Sequence, residues 1–107
     1  MARSLRLVYR DQQGTNLRKN FNWPPIHERA AVILTAAQWR PAGGLFGELV
    51  GRPVLDQAKV YVTNVGPHDP EGGDGGVEFF LNVESNTPVD VIVTITVLED
   101  VEDVIEA

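Results

Sequence analysis

Residues 77–84 read VEFFLNVE and residues 89–98 read VDVIVTITVL, and these two stretches decide the fold class. Alternation of apolar and polar residues with many β-branched side chains is the pattern of a half-buried strand. Residues 85–88, SNTP, supply turn chemistry between them. We therefore expect an antiparallel hairpin whose odd-numbered face enters a core. That face carries Val77, Phe79, Leu81, Val83, Val89, Val91, Val93, Ile95 and Val97.

Three further segments show the same alternation. Residues 58–65 form one predicted strand, which ends at Gly66-Pro67. Residues 4–10 and 17–23 form two more, separated by a predicted turn over residues 11–16. These two strands predict a second hairpin, with Arg6, Arg10 and Arg18 on its outward face.

Residues 26–39 fit two interpretations. Pro25 at a first helical position and an apolar stripe with helical spacing favour a helix. The run of residues 31–37 is apolar on both sides and rich in β-branched residues, which favours a central buried strand. We prefer the strand, because the remaining strands need partners. Residues 45–50, between glycines, are expected to form a short strand or a loop.

Together these segments predict one domain over residues 1–107 that is mainly β. The expected architecture is a single antiparallel β-sandwich or small barrel of jelly-roll or immunoglobulin-like type. The alternative is an α+β layer in which residues 26–39 form a helix. Residues 99–107 are expected to form an acidic C-terminal tail.

Composition excludes several classes of function. The chain has 107 residues, 43% of them hydrophobic, which suits one modest core. It contains no cysteine, so disulfides, thiol nucleophiles and Cys-based metal sites are absent. No signal peptide or membrane-spanning apolar run is recognisable, so we expect synthesis in the cytoplasm. The formal net charge of −6 makes nucleic acid an improbable partner.

The charges are strongly polarised along the chain. All nine Lys and Arg side chains lie in residues 1–59 together with four acids, for a net charge of +5. Residues 60–107 hold the other eleven acids and no Lys or Arg. Two oppositely charged parts can meet within one molecule or between copies.

Residues 68–76, HDPEGGDGG, form the stretch that most resembles a binding site. Asp69, Glu71 and Asp74 are candidate oxygen ligands for Ca²⁺ on a flexible backbone. Their spacing does not match an EF-hand loop, and an acidic connection between strands is the preferred interpretation. His27 and His68 could in principle share a metal with a carboxylate, but isolated histidines beside turns are usually surface residues.

No residue pattern indicates catalysis. The serines do not lie in a strand–turn–helix nucleophile elbow, and the acid pairs near residue 100 resemble solvated strand-end carboxylates. The chain is therefore not expected to be an enzyme, and no cofactor is expected. The aromatic side chains could instead line a glycan platform, although closing the ends of a small core is the preferred role. They are Phe21, Trp23, Trp39, Tyr61 and Phe80.

Aliphatic residues in the acidic tail point to a docking role. Exposure of Val101, Val104 and Ile105 to solvent would bring no stabilisation, so burial against a partner is expected. Phe80 similarly lies on the nominally polar face of its strand. We expect these residues and the basic set Arg6, Arg10, Arg18 and Lys19 to form interfaces between copies. The predicted function is a non-enzymatic assembly protein of a virion or other particle, such as a phage capsid decoration (cement) or tail protein. The alternative is a β-sandwich module that binds a glycan or Ca²⁺.

Overall fold

The computed structural model describes residues 2–42, 51–69 and 75–107, and every regular element in these ranges is a β-strand. Two antiparallel sheets form, one ordered β1-β7-β3-β4 and the other β2-β6-β5. The predicted mainly β antiparallel sandwich is therefore confirmed. The strands are β1 (Arg3–Gln12), β2 (Gly14–Asn22), β3 (Ala30–Pro41), β4 (Gly51–Val54), β5 (Lys59–His68), β6 (Gly76–Glu84) and β7 (Val89–Asp100).

The core lies between the two sheets, where the odd-numbered faces of β6 and β7 meet. This face was predicted from the alternation alone, and it is confirmed by the burial of nearly all its members. Only Val89, at the start of β7, is partly exposed. Ile26, in the connection between β2 and β3, is fully buried and completes the cluster. The buried strand residues are Val77, Phe79, Leu81, Val83, Val91, Val93, Ile95 and Val97.

Both predicted hairpins are wrong. β6 and β7 belong to different sheets, and so do β1 and β2, so each short connection crosses from one sheet to the other. Two strands that share a buried face can lie side by side or face each other across a core. Their local alternation is identical in both cases, so it could not distinguish them.

The strands pair in a nested way. β1, the first strand, pairs with β7, the last, and β2 pairs with β6. In an immunoglobulin sandwich the first two strands share one sheet, whereas here they are separated. The described strands therefore do not follow the immunoglobulin topology.

Residues 26–39 do not form a helix. β3 spans Ala30–Pro41 and pairs with β7 over most of its length, so the preferred strand interpretation is confirmed. The predicted burial of β3 on both faces is wrong, because Ile33 is 53% exposed. The described ranges contain no helix, and hence none long and apolar enough to cross a membrane. The prediction for residues 45–50 lies outside the described residues.

The corner between β1 and β2 depends on left-handed backbone. Asp11, Gly14 and Asn16 have φ values of 54°, 110° and 56°, and the ladders of β1 and β2 are both irregular there. Gly and Asn tolerate this conformation better than most residues. The corner carries the chain from the four-stranded to the three-stranded sheet and leaves both strands at sheet edges.

Candidate functional site

The basic residues predicted to form one surface lie in three different places. Arg6 and Arg10 project from the outer face of the four-stranded sheet, because their neighbours on β1 point into the core. Arg18 projects from the outer face of the three-stranded sheet. Lys19 occupies an inward position on β2, next to Arg18 in sequence. The separation follows from the crossing of the chain between β1 and β2.

The arginines of β1 bind neighbours on their own sheet. Arg6 Nε donates to Thr94 Oγ1 at 3.1 Å. Arg10 Nη1 lies 3.5 Å from Asp90 Oδ2, and its guanidinium lies 5.0 Å from the centroid of the Trp39 ring. Trp39 is only 6% exposed, so its ring does not present an open stacking face. On this face, Arg6 and Arg10 therefore already have partners within the chain.

A shallow pocket of about 270 Å³ lies beside Arg18 on the three-stranded sheet. Arg18 Nη2 is 3.4 Å from Glu78 Oε1, and Asn64 and Phe80 also line the pocket. Phe80 is half-buried there. Ile92, which like Phe80 lies on the even-numbered face of its strand, belongs to the four-stranded sheet and is 4% exposed, so the two side chains do not share a surface.

Between β1 and β2 lies an open side of the sandwich, which we call the β1–β2 seam. Both are edge strands, so within residues 2–42, 51–69 and 75–107 no third strand covers the side chains that they direct between the sheets. These side chains pack against the core yet remain partly exposed. The seam is lined by Leu5, Leu7, Tyr9, Leu17, Phe21 and Trp23.

Two cations lie across the aromatic rings of the seam. Lys19 Nζ is 4.9 Å from the centroid of Tyr9, and the Arg3 guanidinium is 5.5 Å from that of Trp23. Such contacts contribute about 0.5–1 kcal/mol each at exposed sites. Partial burial also raises the pKa of Tyr9. The seam therefore combines half-buried apolar surface with two positive charges.

The sequence indicated that these two cations lie on the core-facing sides of their strands. Arg3 has the same parity as the core-facing residues of β1, and Lys19 lies between Leu17 and Phe21 on the core-facing side of β2. A cation on the apolar face of an edge strand is a recognised device for controlling edge pairing. Both cations belong to the N-terminal strands whose basic residues were expected to meet the acidic tail, and Lys19 was one of the named interface residues.

The tail leaves the body of the protein after β7, which includes Glu99 and Asp100. Val101 N–H donates to the carbonyl of Arg29 at 2.9 Å, and Arg29 Nη2 donates to the Val101 carbonyl at 3.2 Å. Beyond this point Val104 and Ile105 are 79% and 80% exposed. Residues 101–107 thus expose three aliphatic side chains among acids, Val101 at 37% and the other two much more fully.

The predicted Ca²⁺ ligands are only partly visible. Asp69 is exposed at the end of β5, while Glu71 and Asp74 lie outside the described residues. Within the ranges that the structure covers, no three His, Cys, Asp or Glu side chains cluster as a metal site would require. His27 Nε2 lies 2.9 Å from Asp100 Oδ1, and His68 Nε2 lies 2.7 Å from Asn20 Oδ1. Ca²⁺ binding stays a prediction.

Comparison with protein-family models, curated proteins and solved structures finds no significant match to this chain. The β1–β2 seam and the tail are therefore the candidate functional surfaces.

Proposed function

We propose that this protein is a non-enzymatic structural protein that self-associates, and that residues 101–107 bind a second copy. The observation that carries the proposal is the exposure of Val104 and Ile105, at 79% and 80%, on a segment that projects from the sandwich. The radius of gyration, 15.1 Å, exceeds the roughly 13 Å expected for a compact domain of this length. The projecting segment is consistent with that excess.

Burial of these two side chains supplies a useful association energy. A fully buried Val or Ile contributes about 1.5–3 kcal/mol relative to its exposed state. Two such residues therefore contribute about 3–6 kcal/mol, or roughly a hundredfold in affinity at the lower end. The neighbouring Glu102, Asp103 and Glu106 keep the free segment hydrated and favour a basic acceptor.

A particle component is the biological setting that we propose for such contacts. A tail that binds a different surface of the next copy makes a head-to-tail contact, which generates rings or extended layers. Repeated contacts of this kind between copies would suit a decoration or tail protein of a phage particle. The link to such particles rests on likeness of architecture alone.

Light scattering on the full chain at low and high salt tests the proposal. We expect a multimer whose dissociation constant rises with salt, since exposed charge pairs are screened over about 8 Å at physiological ionic strength. The double variant Val104→Ser/Ile105→Ser should weaken association about a hundredfold. Leu55→Ser is the matched control, because Leu55 is an aliphatic residue that is 100% exposed outside the tail.

Two results would contradict the proposed function. One is a wild-type protein that stays monomeric at both salt concentrations up to the highest concentration reached. The other is a double variant with the mass and dissociation constant of the wild type. An equal loss in Leu55→Ser would show that general surface hydrophobicity, and not the tail, drives association.

A further inference from the structure

We propose that the acceptor for the tail is the β1–β2 seam of a second copy. This inference rests on the proposed function and adds to it the surface that receives residues 101–107. The seam and the tail are complementary in apolar character and in charge.

The seam offers both apolar surface and free backbone. Among the described strands, β1 pairs only with β7 and β2 pairs only with β6, so each has one unpaired edge. An extended segment can add to such an edge through main-chain hydrogen bonds, with alternate side chains entering the adjacent pockets. Leu17 and Phe21 on one wall and Leu7 on the other are half-buried and would be covered by such a segment.

Charge favours an acidic occupant. Within the part of the chain that the structure describes, no carboxylate lies within 4.0 Å of the cationic groups of Arg3 or Lys19, whereas Arg10 and Arg18 each have one. Inward-pointing cations discourage an edge strand from pairing with arbitrary neighbours, because burying an unpaired charge is costly. A segment that brings its own carboxylates removes that cost. Residues 102, 103 and 106 of the tail are acids, and residues 104 and 105 are aliphatic.

The path of the tail favours a second copy over its own seam. β7 lies between β1 and β3 in the sheet. The two hydrogen bonds between Val101 and Arg29 hold the start of the tail beside β3, on the opposite side of β7 from β1. From there seven residues span at most about 25 Å when extended. That length suffices to cover much of an edge strand on a neighbouring molecule.

Charge reversal at Lys19 is the first test. Lys19→Glu should weaken self-association at least about tenfold, because like charges at an interface are strongly unfavourable. Adding Glu102→Lys or Asp103→Lys in the same chain should restore it. Lys59→Glu is the matched control: Lys59 also lies over a tyrosine ring, Tyr61, at 5.5 Å, but on β5. It should leave the mass unchanged, and melting curves check that all variants fold.

Engineered cysteines give a second, independent test, since the chain has none of its own. We expect a mixture of Val104→Cys and Leu17→Cys proteins to form mixed disulfide dimers on mild oxidation. Val104→Cys mixed with Thr35→Cys, which is exposed on β3, should form few. A chain carrying both Val104→Cys and Leu17→Cys should form intermolecular disulfides at concentrations where the wild type associates. Closure within a single chain would overturn the proposed second copy.

The outcomes separate this inference from the proposed function. A monomeric wild-type protein removes both. A wild-type multimer that persists in Lys19→Glu, gains nothing from the tail lysines and forms no mixed disulfide overturns the seam as acceptor, while self-association stands. In that case Arg3 and Lys19 serve only to protect the edges of β1 and β2.

Discussion

The buried amide of Asn82 provides a test of how the edge strand β2 is held in place. Asn82 is 2% exposed, and its Oδ1 accepts a hydrogen bond of 2.8 Å from the backbone N–H of Asn16. Asn16 lies in the irregular part of β2, with φ of 56°. The Nδ2 group is 3.4 Å from the Tyr61 carbonyl on β5. One side chain on the central strand thus contacts both neighbouring strands.

Asn82→Ala should lower the free energy of unfolding by about 1–3 kcal/mol. The loss follows because Asn82 is buried and its replacement leaves the Asn16 N–H of a part-buried hydrogen bond without its acceptor. The bond from Nδ2 is long, so its loss adds little to the total. For a domain of this size, each kcal/mol corresponds to roughly 4–8 °C in Tm.

Urea unfolding of Asn82→Ala and Asn20→Ala measures the effect. Asn20 accepts an equally short hydrogen bond, 2.7 Å from His68 Nε2, but it is exposed. Its replacement should therefore change stability by no more than about 0.5 kcal/mol. A lower midpoint with an unchanged m value is expected for Asn82→Ala. Equal losses in the two variants, or a loss below about 0.5 kcal/mol for Asn82→Ala, would refute the reasoning.

Two further predictions concern backbone packing and pH. Gly75→Ala should destabilise the protein by about 1–3 kcal/mol, because an added Cβ would meet the carbonyl oxygen of Ile26. Gly66→Ala should cost nothing, because the nearest heavy atom to its Cβ is 3.9 Å away. Thermal melts of the two variants check this difference. Burial raises the pKa of Tyr9 above its ordinary 10.0. The unfolded state therefore releases this proton first, and stability that is complete below pH 10.0 is lost as the pH rises through the folded-state pKa. Melting curves at high pH should show this loss, and Tyr9→Phe should reduce it.

The sequence predicted the strands and the core more reliably than the contacts between strands. Alternation is local, so it identified the buried faces of β6 and β7. The strand β3 was preferred on other grounds, because residues 31–37 are apolar on both sides and the remaining strands need partners. It also predicted that residues 77–84 would carry their polar side chains outward, yet Asn82 is buried. The irregular course of β2 brings the Asn16 N–H to Asn82 Oδ1. No pattern within residues 77–84 contains that information.

The candidate site was predictable in composition but not in place. The acidic tail with its aliphatic residues is visible in the sequence, and the structure shows Val104 and Ile105 exposed. The basic acceptor was expected on the outward face of a hairpin that does not exist. Lys19 was among the expected basic residues, but only the tertiary structure places it together with Arg3 between β1 and β2, at the edges of different sheets.

By itself, the sequence determined most of the strand segments, the core faces of β6 and β7 and the separation of positive from negative charge. These depend on residues that are neighbours along the chain, where the period of two and the counts of charge are explicit. Only the tertiary structure decided which strands pair, as in the contact of Ser4 with Thr96, 92 residues apart. The choice between side-by-side and face-to-face strands depends on the packing of the whole core, because both arrangements bury the same local pattern. Because β1 and β2 belong to different sheets and are edge strands, the β1–β2 seam lies between them.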